Sequence, residues 1–286
     1  MTAQNRLDGK VCLITGATGG IGLETAKALA RLGATTLLVG RDPGRTQAAV
    51  AAVREAAPGA TVESFLADLS SLQSVRDLAS AVRARTSRLD VLINNAGLIH
   101  DRRQVTVDGF EATLAINHLA PFLLTNLLLD LLRASPSARV INVSSQGHRL
   151  ARLDFDDLQS TRGYDGIRVY GNSKLANILF THALAKRLKG SRVTTNALHP
   201  GVVRTGFGLN SQGFFKHLIK LGAPFMLSAE RGARTSVYLA SSPEVADVSG
   251  QYFIKCRPVK ASSAARDDAL AERLWQVSAQ LTGVQT

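Results

Sequence analysis

The stretch that most narrows the folds open to this chain is Thr15-Gly16-Ala17-Thr18-Gly19-Gly20-Ile21-Gly22, because of what flanks it. Before it, Val11-Cys12-Leu13-Ile14 is a short unbroken apolar run, the mark of a strand buried on both faces of a parallel sheet. After it, residues 23–32 carry their apolar side chains at helical spacing. Glycines in a strand-to-helix connection permit a tight turn and let the backbone approach a pyrophosphate at the helix N-terminus. Gly16, Thr18, Gly19, Gly20, Ile21 and Gly22 are therefore candidate cofactor-binding residues.

The rest of the chain repeats the alternation. Residues 35–39 predict a second strand, ending in Gly40-Arg41. In dinucleotide folds an acid at this point holds the adenosine 2′-OH, whereas an arginine accommodates a 2′-phosphate. Gly40 stands at the acid position and Arg41 follows, which favours NADP over NAD. Asp42 is the competing acid in a shifted register, although Asp42-Pro43-Gly44 reads as turn and helix-cap chemistry. A helix over 46–56 and a strand over 61–66 follow, the strand running into Ala67-Asp68-Leu69-Ser70. Then come a helix over 72–85 and a strand over 89–93, ending in Asn94-Asn95-Ala96-Gly97, where small residues let the backbone pass close to a ligand or a neighbouring strand. One long, mostly apolar helix is expected over 110–132, carrying Asn117, and a strand over 139–143 leads to Ser144-Ser145.

Further on, the pattern predicts a helix over 168–189, a strand over 192–198 that runs into His199-Pro200-Gly201-Val202-Val203-Arg204-Thr205, a helix over 229–240, a last strand over 250–254 and a tail helix over 264–281. Strands alternating with helices predict an α/β chain: one doubly wound, Rossmann-type parallel sheet with helices on both faces and right-handed connections. In such a sheet the ligand crevice lies beyond the carboxyl ends of the strands. The glycine turn, Gly40-Arg41, Asp68, Asn94 to Gly97 and Ser144-Ser145 all fall there.

Composition bears on what the chain excludes. At 286 residues and 45% hydrophobic, with no linker, repeat or low-complexity tract, it reads as one domain with a large core. Two cysteines, Cys12 and Cys256, point to reduced thiols in a cytoplasmic protein, with Cys12 in the core. Residues 1–10 are polar and lack a signal-peptide apolar region. The most apolar stretch, 119–132, contains Pro121, Asn126 and Asp130 and is too short to span a bilayer, so no membrane partner is expected. The net charge of +12 raises the question of an anionic partner. The arginines are scattered rather than clustered, with no aromatic-interleaved basic run and no zinc spacing. This reads as an arginine-rich solvated surface, with no nucleic-acid partner and no metal.

Tyr170-Gly171-Asn172-Ser173-Lys174 carries the chemistry. A tyrosine and a lysine four residues apart share one face of a helix. A free tyrosine titrates near pH ~10, and a neighbouring ammonium favours the phenolate. The pair can therefore act as a general acid/base at neutral pH, although an ordinary surface pair has the same spacing.

With these residues in order, the sequence resembles the short-chain dehydrogenases/reductases over nearly its whole length. The resemblance is carried by Thr15 to Gly22, Asp68, Asn94-Asn-Ala-Gly97, Asn117, Ser145, Tyr170-x-x-x-Lys174 and Pro200-Gly-Val-Val-Arg-Thr205. Gly16, Gly20 and Gly22 match the reductase spacing; Gly16, Gly19 and Gly22 match the epimerase/dehydratase branch. Within the reductases the chain looks most like the retinol-dehydrogenase-like group, through Ala115 to Thr125, Asn172 to Asn177, His199 to Arg204 and Gly250-Gln-Tyr-Phe253.

The resemblance implies hydride transfer between a nicotinamide and a carbonyl or alcohol carbon. It implies that Tyr170 donates the proton and that Lys174 lowers its pKa and holds the nicotinamide ribose. Ser145 would hydrogen-bond the substrate oxygen, with Ser144 the neighbouring alternative, and Asn117 would hold Lys174 through a water. Asp68 and Leu69 would flank the adenine, beside Asn95, Ala96 and Gly97, while Val203 and Thr205 would reach the nicotinamide amide and phosphates. A homodimer or homotetramer is implied in the same way. Residues 206–227 would lie over the substrate crevice as a lid. Four of the chain's ten phenylalanines fall there, which favours a lipophilic carbonyl or alcohol, unless the segment serves only to dock on the core or on another subunit. Two rivals from other classes are a cofactor-binding sensor with a dead site and a basic protein that binds nucleic acid.

Overall fold

The computed structural model describes residues 6–203 and 226–285. Its centre is an eight-stranded sheet in the order β3-β2-β1-β4-β5-β6-β7-β8. The strands are β1 Val11–Thr15, β2 Thr35–Gly40, β3 Val62–Leu66, β4 Val91–Asn94, β5 Ala138–Val143, β6 Val193–His199, β7 Tyr252–Ile254 and β8 Arg257–Pro258. All pair in parallel except β8, which runs antiparallel to β7. The chain order turns back between β1 and β4, and a doubly wound sheet opens its ligand crevice at such a switch point.

Two-residue periodicity divides the core. Leu13, Leu37, Leu92 and Val140 face one side; Cys12, Ile14, Leu38, Val91, Ile93 and Ile141 face the other. On the second side lie helices α1 Gly20–Arg31 and α2 Pro43–Ala56. Helix α1 buries Gly22, Thr25, Ala26, Leu29 and Ala30, a stripe at i, i+3, i+4, i+7 and i+8 that fits one helix face. On the first side lies α3 Leu72–Arg85, capped by Ser71, whose hydroxyl accepts from the Ser74 N–H.

The long helix expected over 110–132 is broken. It consists of α4 Ala112–Leu114, a π-helical turn Ala115–Leu119, α5 Ala120–Leu127 and, after Leu128, α6 Leu129–Arg133. The reason lies at Asn117, whose Oδ1 accepts from Leu98 N at 2.8 Å and whose Nδ2 donates to Leu98 O at 2.9 Å. This pair of hydrogen bonds to a neighbouring loop holds the helix in its wider turn, a device common at functional sites.

Helix α7 Gly166–Arg187 starts under an Asp165 cap and is buried all round from Ser173 to Thr181. Helix α8 Ala229–Ser241 packs on α1. The tail helix is shorter than expected: residues 264–266 form a 3-10 turn, and α9 Asp268–Thr282 begins only where Asp267 caps it. Gly283, at φ 67°, ends it. Helix α9 docks through Trp275, whose ring meets Phe122 of α5 at 4.9 Å and Phe180 of α7 at 5.9 Å. Strand β8 was not expected, because Lys255 and Cys256 form a two-residue turn with positive φ at both positions, where such turns ordinarily carry Asn or Gly.

Among the described residues, no helix is long and apolar enough to cross a membrane. The expected lid falls almost wholly at 204–225, outside the described residues, as does Thr205.

Candidate active site

A cleft of about 810 Å³ opens at the carboxyl ends of β1, β2 and β4. Every candidate from the glycine turn lines it, with Arg41, Asp68, Leu69 and Asn95 to Gly97. The turn is shaped by close approach. A Cβ on Gly22 would lie 2.3 Å from Gly16 O and 2.6 Å from Asn95 Nδ2. Gly16 has φ 65° and would press its Cβ to 2.9 Å from Ala96 Cα. Gly20 also takes a positive φ, whereas Gly19 is extended at φ 177° and a Cβ there would meet only Arg45 Nη2, at an ordinary 3.7 Å. The demanding positions are thus Gly16, Gly20 and Gly22, the reductase spacing.

Thr15 and Asn95 fasten the turn to β4. Asn95 Nδ2 donates to Thr15 O at 2.8 Å, and Thr15 Oγ1 accepts from the N–H groups of Asn95 and Ala96 at 3.0 and 3.1 Å. At the end of β2, no side chain fits at position 40: a Cβ on Gly40 would meet Thr46 Oγ1 at 2.2 Å and Thr18 Cγ2 at 2.4 Å. Asp42 caps α2, accepting from Arg45 N at 2.8 Å. Arg41 is exposed and forms no hydrogen bond or ion pair among the described residues. Arg45, which the sequence reading passed over, extends to the turn, with its Nη2 3.7 Å from where a Gly19 Cβ would stand. Asp68 accepts from the N–H and hydroxyl of Ser70 at 3.0 and 2.8 Å, holding the loop after β3. Val203 packs against Gly232 of α8 and so lies beside Ile21.

Gly97 joins the cleft to the proton chemistry. A Cβ there would lie 3.2 Å from Lys174 Nζ and 3.3 Å from Asn117 Oδ1. Lys174 is 3% exposed, and its ammonium donates to the carbonyl of Val143, the last residue of β5, at 3.1 Å. Asn177 Nδ2 donates to the same oxygen at 3.2 Å. Ser144 Oγ donates to Lys174 O at 2.7 Å, pinning α7 to the end of β5. The two adjacent serines are thereby separated: Ser144 is committed to the helix backbone, while Ser145 Oγ and the Tyr170 ring both lie against Gly147, 3.7 and 3.8 Å from where its Cβ would stand. Asn117, 0% exposed, donates to Ser173 Oγ at 3.0 Å and so also reaches α7.

The electrostatics differ from the sequence expectation at one point. Burial pushes the Tyr170 phenol up to about 12, and the Ser145 hydroxyl works against that rise. Lys174 lies 5.5 Å from the Tyr170 ring centroid and is itself pushed down to about 8 by burial. The expected lowering of Tyr170 by the ammonium is therefore outweighed. At neutral pH Tyr170 holds its proton and Lys174 is charged, a donor beside a cation. Val143, Asn177 and Ser173, which complete this arrangement, are not among the predicted site residues, because each acts through a contact across the fold.

The model of the family described as short chain dehydrogenase matches residues 10–213. Human retinol dehydrogenase 12 is 44% identical over 280 residues, covering 98% of this chain and 88% of that protein. Human retinol dehydrogenase 13 is also 44% identical, covering 98% and 86%. Among solved structures, a protein from Mycobacterium paratuberculosis described as putative and uncharacterized is 35% identical, with a TM-score of 0.80 over 99% of this chain and 97% of that one. The Pseudomonas aeruginosa RhlG/NADP active-site complex is 28% identical, with a TM-score of 0.72 over 88% and 97%. The chain belongs to the short-chain dehydrogenases, in their retinol-dehydrogenase-like group, and is an oxidoreductase.

Proposed function

We propose that the protein is an NADP(H)-dependent oxidoreductase acting on a lipophilic carbonyl or alcohol, with Tyr170 as the general acid/base. The observation that carries this reading is Tyr170 beside the buried Lys174, whose Nζ lies 5.5 Å from the Tyr170 ring centroid, at the edge of a cleft where Gly16, Gly22 and Gly40 leave no room for a side chain. The residues present fit a dinucleotide. The crowding at Gly22 and Gly40 makes a cradle that a side chain would fill, and the N-terminus of α1 points into it.

When bound, the nicotinamide supplies the hydride. Ser145 orients the substrate oxygen by hydrogen bonding. Tyr170 delivers its proton to that oxygen as negative charge develops on it. The charged Lys174 steadies the phenolate left behind and, held by Val143 O, presents its remaining N–H groups toward Gly97 and the cofactor. Asn117 keeps the Gly97-Leu98 backbone in place through both of its bonds to Leu98.

NADP over NAD is supported by Gly40, which admits no acid, by Asp42, which is engaged as a helix cap, and by Arg41, which has no partner among the described residues, with Arg45 next to the turn. A lipophilic substrate is supported by exposed apolar side chains that neighbour site residues in sequence: Leu150 after Ser145, Ile167 before Tyr170, and Val202 beside Val203. The retinol dehydrogenases it resembles are named for an apolar alcohol. A cytoplasmic setting belongs to the same reading, since both cysteines are free thiols.

The test follows NADPH oxidation over a homologous series of alkyl aldehydes and ketones beside polar carbonyls of similar size. Each added methylene is expected to improve kcat/KM by up to ~0.8 kcal/mol until the pocket is full. A flat response to chain length, or preference for the polar set, would refute the substrate class.

A further inference from the structure

Ser145 opens a short 3-10 helix, Gln146–Leu150, and its Oγ accepts from Gly147 N at 3.2 Å. This turn is wedged against the start of α7: a Cβ on Gly147 would lie 3.7 Å from Ser145 Oγ, 3.8 Å from Gly171 Cα and 3.8 Å from Tyr170 Cε1. A small rotation of the turn therefore moves the Ser145 hydroxyl relative to the Tyr170 phenol.

His148 holds the turn from the other side. Its ring is 0% exposed and packs edge-on against Tyr252, with centroids 5.0 Å apart. Nε2 lies 3.2 Å from the backbone N of Ser262, and an amide N–H can only donate, so Nε2 is the acceptor. The ring proton is then on Nδ1, which donates to Ser145 O at 2.7 Å. Both nitrogens are used, and only one neutral tautomer satisfies both partners. A second tie runs in parallel, from Arg149 Nη2 to Lys260 O at 3.0 Å. Residues 260–262, far downstream in sequence, thus grip the turn that carries Ser145.

We infer that His148 is a positioning residue: its Nδ1–H bond to the Ser145 carbonyl, braced through Nε2 by Ser262, sets the Ser145 hydroxyl against Tyr170. This rests on the roles proposed above for Ser145 and Tyr170. His148 itself touches neither substrate nor cofactor. The competing view is that the imidazole only fills space between the turn and β7.

Two conservative variants separate the ring's bonds. His148→Asn keeps a donor near the Nδ1 position and gives up Ser262; His148→Gln reaches Ser262 and gives up the Ser145 carbonyl. With NADPH and decanal as the probe, His148→Gln should lose roughly tenfold in kcat, the scale of a slightly misplaced catalytic group, while His148→Asn stays within about threefold of wild type. NADPH affinity should hold in both. In a Ser145→Ala background the same His148→Gln change should cost less than about twofold, because residues acting through one another are not additive. Equal losses in both backgrounds, or Asn no better than Gln, would overturn the inference. A wild type inert toward decanal and the rest of the series would instead strike the parent reading. Hydrogen exchange across residues 144–150 would then decide His148 alone, with faster exchange in Gln than in Asn supporting it and the reverse order refuting it.

Discussion

At the glycine turn the recognition surface is backbone. Gly16, Gly22 and Gly40 are fixed by what would collide with a side chain there, and Thr15 and Asn95 fasten the turn to β4. At the far end of the same crevice the surface is side chain. Ser145, Tyr170, Lys174 and Asn117 come from three separate elements and are held by Val143 O, Asn177, Ser173 and Leu98. The first region works by leaving no room for side chains; the second works by burying polar groups and holding them with hydrogen bonds. A buried polar group with a lost partner costs the full desolvation of that group, so the catalytic end should be the more sensitive of the two to pH and to polar substitution.

Lys174 gives the largest expected difference. Burial disfavours its ammonium, so between about 8 and the ordinary 10.5 the folded chain binds fewer protons than the unfolded one. Stability therefore climbs with pH across that window, by up to about 3 kcal/mol. Urea unfolding from pH 7.5 to 10 should show the climb in wild type and not in Lys174→Met. Parallel profiles would mean that the ammonium is not buried as described. The same variant should lose both turnover and NADPH affinity.

At the cradle, Arg41→Ala should weaken NADPH binding by roughly 1–3 kcal/mol, the worth of a charged hydrogen-bond partner, and leave NADH binding unchanged. Equal wild-type affinities for the two cofactors, measured by fluorescence titration, would refute the NADP preference. The smallest expected effect is at Asp42. As a helix cap its loss should cost about 1 kcal/mol of stability, with the NADPH-to-NADH ratio unmoved. Were Asp42 instead the ribose-holding acid, Asp42→Ala would leave stability alone and selectively weaken NADH.

The two regions also differed in how far the sequence disclosed them. The turn of the cradle was legible because its constraint is local: glycines with positive φ or no room for a Cβ must be glycines, and Gly16, Gly20 and Gly22 sit within one short connection. Tyr170-x-x-x-Lys174 was legible for the same reason, as one turn of one helix. What stayed hidden is long-range. Helix formers and apolar residues fill 110–132, so nothing in that run announces the π turn that Leu98 imposes on Asn117. Val143 contributes a carbonyl, which no residue type encodes, and His148 meets Ser262 across more than a hundred positions. The rise of the Tyr170 phenol was missed because spacing shows the nearby ammonium and not the burial that outweighs it.

Turnover of Tyr170→Phe tests the central claim most directly, measured by NADPH oxidation with the best alkyl aldehyde of the series beside a titration of NADPH affinity. Phenylalanine keeps the ring and its packing and removes the one proton the reaction draws on. The account predicts at least a ~100-fold fall in kcat, the usual scale for a general acid/base, with NADPH affinity within about threefold of wild type. Near-wild-type turnover in the phenylalanine variant would contradict it.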